Sequence, residues 1–81
     1  MAAVIAACQR LREARDAQAE ALAEKDRALV VWWEQSGIPK VRAGEAVQAA
    51  LAEAGWSPED IARVGVGAAN VRITLERRGR G

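Results

Sequence analysis

SPEDIARVGVGAANVRITLERR, residues Ser57 to Arg78, reads as two short helices joined by a tight glycine turn. Ser57 offers a side-chain oxygen to the amides of a first turn. Pro58 suits the first helical position because it has no amide proton to leave unpaired, and Asp60 takes the acid place of a capping box. Ile61, Ala62 and Val64 give the first helix a small apolar face. Gly65-Val66-Gly67 then breaks it, because glycine reaches the positive φ that a sharp turn between helices requires. Ala68, Val71 and Leu75 recur at i, i+3 and i+7, so the second helix has one buried stripe. Ala69, Asn70, Arg72, Ile73 and Arg77 fall on its other face.

Ile61-Ala62, Gly65-Val66 and Val71…Leu75 together resemble the helix-turn-helix of small bacterial or phage DNA-binding proteins. In that family a small residue in the first helix lets the second pack closely, and the second enters the major groove. The chain departs from the pattern twice. Arg63 and Val64 alone separate Ile61-Ala62 from the turn glycine, one residue fewer than usual. Gly67 stands where the family places a serine, so the second helix lacks its usual side-chain cap. What the resemblance implies is sequence-specific binding of double-stranded DNA by a small, repressor-like transcriptional regulator whose helix 68–78 reads bases. Gly67, Ala68 and Ala69 would keep the entering end thin. Asn70 and Arg72 would form bidentate bonds to adenine and guanine, and Ile73 would meet a thymine methyl. Arg77, Arg78 and Arg80 would meet phosphates. A plain helical hairpin within a bundle is the competing reading of the same stretch.

The charge distribution agrees with a phosphate-facing end. The formal net charge is only +1 over 81 residues, but residues 1–36 sum to −1 and residues 61–81 to +4. The 51% apolar fraction contains 19 alanines, leaving 22 larger apolar side chains to build a core. Alanine buries little area, so the helices must pack closely or share faces with a second chain. The alanine- and arginine-rich, lysine-poor composition points to a high-GC bacterial or phage source.

Working outward, residues 1–36 hold no Gly or Pro and are dominated by strong helix formers. Val4, Cys8, Leu11, Leu22, Leu29 and Trp32 or Trp33 follow a spacing of about 3.5 residues, interrupted by Arg15, Gln18 and Lys25 at seam positions. Arg12–Asp16 and Glu24–Arg27 are spaced as helix-surface ion pairs. One helix of about 33 residues would run roughly 50 Å. It must either break near Ala23–Arg27 or project and pair with another chain, and pairing is the expectation adopted. Leu22, Leu29, Trp32 and Trp33 are then its dimer or core anchors. Gly37 ends this helix, and Ser36-Gly37-Ile38-Pro39-Lys40 is the connector. The next helix runs from about Val41 to Ala54, with Val47 and Leu51 inward and Ala43, Ala50 and Ala54 completing the stripe; Gly44 weakens its first turn. Gly55 caps it, and Trp56 sits at the hydrophobic-staple position before Ser57.

The fold expected is therefore all-α: a long N-terminal helical region over 1–36 for dimerisation or packing, a helical DNA-binding region over 41–78 with the helix-turn-helix at 57–78, and a disordered basic tail at 79–81. No catalytic constellation is visible. With no histidine and a single cysteine, Cys8, there is neither an imidazole base nor a cysteine–histidine pair, and no enzyme activity, cofactor or metal is expected. No stretch has the roughly 20 apolar residues of a membrane span, and no signal peptide precedes the domain, so a cytoplasmic location without membrane association is expected. The expected partners are double-stranded DNA and a second copy of the chain, with the N-terminal helix as a surface for a protein partner. Two alternatives stand beside the regulator: a helical protein–protein adaptor using the Trp32/Trp33 face, and a DNA-packaging or recombination accessory factor using the same motif.

Overall fold

The structure, a computed structural model, describes residues 1–16 and 18–78. These residues form helices only: α1 (Ala2–Glu13), α2 (Gln18–Ser36), α3 (Lys40–Glu53), α4 (Pro58–Arg63) and α5 (Ala68–Arg78). The all-α expectation is met. None of the described helices is long and apolar enough to cross a membrane.

The long N-terminal helix is corrected to two. Ala14 is extended, with φ −70° and ψ 135°, and α1 returns along α2. The reversal is documented by Arg10, whose guanidinium grips the Glu24 carboxylate at 2.7 and 2.8 Å. In one continuous helix these residues would stand roughly 21 Å apart. The break thus precedes the expected stretch Ala23–Arg27, which lies within α2. No Gly or Pro dictates it. The gain is burial: only a returning α1 brings Val4 and Cys8 into the same core as Leu29. The longest dimension of the described residues is accordingly 32 Å. Of the two surface pairs expected within this region, Arg12 meets Asp60 instead of Asp16, while Glu24 is gripped by Arg10 with Arg27 as a further nearby positive charge.

The core gathers Val4 and Cys8 from α1, Leu29 from α2, Ala43, Val47 and Leu51 from α3, and Val71 and Leu75 from α5. Val64 and Val66 complete it from the turn between α4 and α5. Val66 was not among the residues expected inside; the turn carries it under the helices it joins. Three alanines depart from the expected apolar faces: Ala54, Ala62 and Ala68 are exposed, although the Ala68 backbone lies against α3. Leu22 also stands outside this core, 46% exposed.

Local signals set the helix ends. Ser57 Oγ accepts from the Asp60 amide at 3.1 Å, with Pro58 at the first position of α4. The Asp60 carboxylate turns to Arg12 Nη1 at 3.4 Å, so only half of the capping box forms. At the end of α3, Gly55 takes φ +95°, and the amides of Gly55 and Trp56 donate to Ala52 O and Leu51 O, both at 3.0 Å. This is the paired closure by which a left-handed glycine satisfies the last carbonyls of a helix. Arg12 lies 4.0 Å over the Trp56 ring while pairing with Asp60, tying the end of α1 to the start of α4. The two tryptophans of α2 separate. Trp33 Nε1 donates to Ile38 O at 2.6 Å and its ring faces Lys40 Nζ at 5.5 Å, fastening the α2–α3 corner. Trp32 packs at the edge of the groove between α1 and α2.

Gly44 has a larger role than weakening a helical turn. A Cβ there would stand 2.6 Å from Ala68 Cα and 3.1 Å from Ala68 N, both backbone atoms of α5. Alanine normally favours a helix interior over glycine by about 1 kcal/mol. Here Gly44→Ala is expected to lower stability by about 1–3 kcal/mol through overpacking, measured by urea unfolding. An increase in stability would show that α3 and α5 do not meet at this point.

Candidate nucleic-acid interface

The outer face of α5 follows from its inner one. Val71 and Leu75 are fully buried, and successive helical residues turn by about 100°. Ile73 therefore lies almost opposite the buried stripe, and it is 43% exposed. Ala69 and Glu76 flank it on one side, Asn70 and Arg77 on the other, and all four are exposed. Arg72 is exposed but turned towards the flank that carries Ala68, the side on which α3 crosses. Gly67 and Ala68 are exposed at the start of the helix. Gly67, Ala69, Asn70, Ile73 and Arg77 thus share the outer surface of α5, whereas Arg72, roughly 160° round the helix from Asn70, stands with Ala68 on the α3 flank. Arg80 lies outside the described residues, as does the side chain of Arg78. Arg63, Arg72 and Arg77 form no ion pair with the described residues.

Beside this face, Leu22, Asp26, Arg63, Asn70, Ile73 and Thr74 line a groove between α2 and α5. Leu22 therefore belongs with the surface of α5. Leu29 is the anchor that reaches the core, while Trp32 and Trp33 pack partly buried against it.

Besides its packing on α3 and α2, α5 is tied down at its start by the four-residue connection 64–67. Gly65 adopts φ +65°, the left-handed conformation expected of it. Three consecutive carbonyls then accept hydrogen bonds from two other helices. Lys25 Nζ, on α2, donates to Val64 O at 2.9 Å and to Gly65 O at 3.4 Å. Gln48 Nε2, on α3, donates to Val66 O at 2.9 Å. Lys25 is 4% exposed and is the buried charged residue of the described chain. An unpaired buried ammonium would be strongly unfavourable, but these carbonyls lie just past the end of α4, where helical carbonyls lack partners and a cation is welcome. Asp26 Oδ1, at 3.9 Å, adds a nearby opposite charge. Asn70 sits next to this arrangement: a Cβ on Gly65 would lie 3.7 Å from Lys25 Nζ and 4.0 Å from Asn70 Nδ2.

Neither Lys25 nor Gln48 stood out in the sequence. Lys25 reads there as a charge spoiling an apolar seam, and its true partner is a backbone carbonyl 39 residues away. A lysine at a position otherwise suited to burial was the one available signal.

Burial pushes the Lys25 ammonium below its usual 10.5, opposed by the charges of Asp26 and Cys8. The unfolded chain therefore keeps this proton to higher pH than the folded one. The stability owed to this group rises as pH climbs from the lowered pKa towards 10.5. Cys8 acts in the opposite sense. Burial raises its thiol above 9.0, against the pull of Lys25, so the unfolded chain ionises first and stability falls as pH passes 9.0. In a Cys8→Ala background, the stability difference between the Lys25 protein and its Lys25→Met variant is expected to move in favour of lysine as pH approaches 10.5. Urea titrations across that range measure it, and a difference independent of pH would show that the folded chain leaves the Lys25 pKa unchanged.

Comparison with family models, with curated proteins and with solved structures finds no match.

Proposed function

We propose that this protein binds double-stranded DNA sequence-specifically, as a small repressor-like transcriptional regulator in which α4 and α5 act as a helix-turn-helix. The observation that carries this reading is the outer face of α5. It is exposed, begins with small residues, and carries Asn70, Arg77 and an outward isoleucine, with Arg72 on the adjoining flank; neither arginine forms an ion pair among the described residues. Small residues at Gly67, Ala68 and Ala69 allow the start of the helix to approach the floor of the major groove, which is wide enough for a helix. Asn70 and Arg72 match adenine and guanine edges, and an outward Ile73 suits a thymine methyl, an otherwise unfavourable exposure of apolar surface. Arg63 and Arg77 flank them as phosphate contacts that position without specifying.

A second copy of the chain is part of the proposal, because such proteins read two half-sites about one DNA turn apart. The groove between α1 and α2, lined by Met1, Val31 and Trp32 among others, supports it. Met1 and Val31 expose apolar surface there. On α2 this groove uses Glu24, Ala28 and Val31, whereas the groove beside α5 uses Leu22 and Asp26. The two surfaces occupy different flanks of the helix, so a partner on one leaves the other free.

Selection from random duplexes, followed by titration at physiological salt, tests the reading. Arg72→Ala is expected to weaken the preferred duplex by about 1–3 kcal/mol and to relax selectivity at one position, with an unchanged thermal melt. The complex is expected to sediment with two chains per duplex. Recovery of no preferred duplex by the parent protein would end the proposal, and one chain per duplex would remove its dimer.

A further inference from the structure

We infer that Lys25 and Gln48 are positioning residues for α5, setting the angle at which it meets DNA and so the selectivity of binding without touching DNA themselves. The inference rests on the DNA reading proposed above and concerns how that surface is aimed.

In a helix-turn-helix the first helix ordinarily supports the second through packing. Here α4 has only six residues and buries none of them fully. The support comes from elsewhere. Lys25 reaches from α2 to the carbonyls of Val64 and Gly65, and Gln48 reaches from α3 to that of Val66. Each hydrogen bond fixes a main-chain atom within four residues of the start of α5. Because the two donors come from different helices, they restrain the turn from two directions. Val71 and Leu75 seat α5 in the core, and the Gly44–Ala68 approach sets its distance from α3. The carbonyl contacts add a directional restraint at the start of the helix. Asn70 lies beside the Lys25 end of the arrangement, so a rotation there displaces a base-reading side chain first. Lys25 cannot act as a phosphate contact, since its ammonium is buried and directed into the turn.

The test compares Lys25→Met, Gln48→Leu and, as a control of reduced stability that leaves both sets of turn hydrogen bonds in place, Val4→Ala, all at a temperature where circular dichroism shows each folded. Two quantities are read: affinity for the selected duplex against a scrambled duplex, and hydrogen exchange of the Ala69–Val71 amides without DNA. Lys25→Met and Gln48→Leu are expected to lose roughly tenfold to hundredfold in affinity for the selected duplex. Their low-salt affinity for the scrambled duplex should stay within about twofold, because every surface cation remains. Val4→Ala should keep the parent's selectivity. Exchange at Ala69–Val71 should quicken more in Lys25→Met than in Val4→Ala. Parent-like selectivity in both turn variants would overturn the inference while leaving the DNA reading intact. Failure of the parent to select any duplex would defeat the DNA reading, and the exchange comparison would still decide whether the turn contacts hold α5. Should Lys25→Met not fold, Gln48→Leu, which alters a half-buried side chain, carries the comparison alone.

Discussion

The architecture depends on one buried ammonium and the carbonyls it satisfies. Lys25 enters the interior among valines, leucines and a thiol, where a charge is unfavourable by several kcal/mol unless matched. The match is the end of α4, whose outgoing carbonyls would otherwise be buried without donors. Each side thus resolves a problem for the other, and the result is directional. Apolar contacts between α2 and the turn would tolerate sliding; two hydrogen bonds from a single nitrogen do not. Gln48 does for the next carbonyl what Lys25 does for the first two.

Such polar ties have particular weight in an alanine-rich chain. With 22 apolar residues larger than alanine, the core is thin, and close approach replaces bulk. Gly44 lets α3 meet the α5 backbone directly, and Val64 and Val66 place the connection itself inside the core. The turn is therefore as much a core element as any helix. Small contact surfaces specify geometry weakly. Hydrogen bonds to fixed main-chain atoms supply what the packing lacks.

Local chemistry was legible in the sequence wherever one residue decides one conformation. Ser57 and Pro58 open α4 as their side chains require, Gly37, Gly55 and Gly65 take the left-handed conformations that end helices, and Val47, Leu51, Val71 and Leu75 lie inside as their spacing implies. The accessible face of α5 follows from the same periodicity. What escaped were relations between distant segments. The reversal after Glu13 lacks a breaker residue and follows from the burial it permits. Lys25, Gln48 and Val66 show their roles only when α2, α3 and the turn are brought together, because a backbone carbonyl has no signature in a sequence.

We propose that the outer face of α5, held by these contacts, meets duplex DNA. Amide chemical-shift mapping of the full chain during titration with its selected duplex tests this most directly. The largest changes are expected at Gly67–Arg77 and at Arg63, with the outer flank of α2 at Glu24, Ala28 and Val31 perturbed little. Changes concentrated on Met1, Val31 and Trp32, with α5 silent, would contradict it and place the binding surface between α1 and α2.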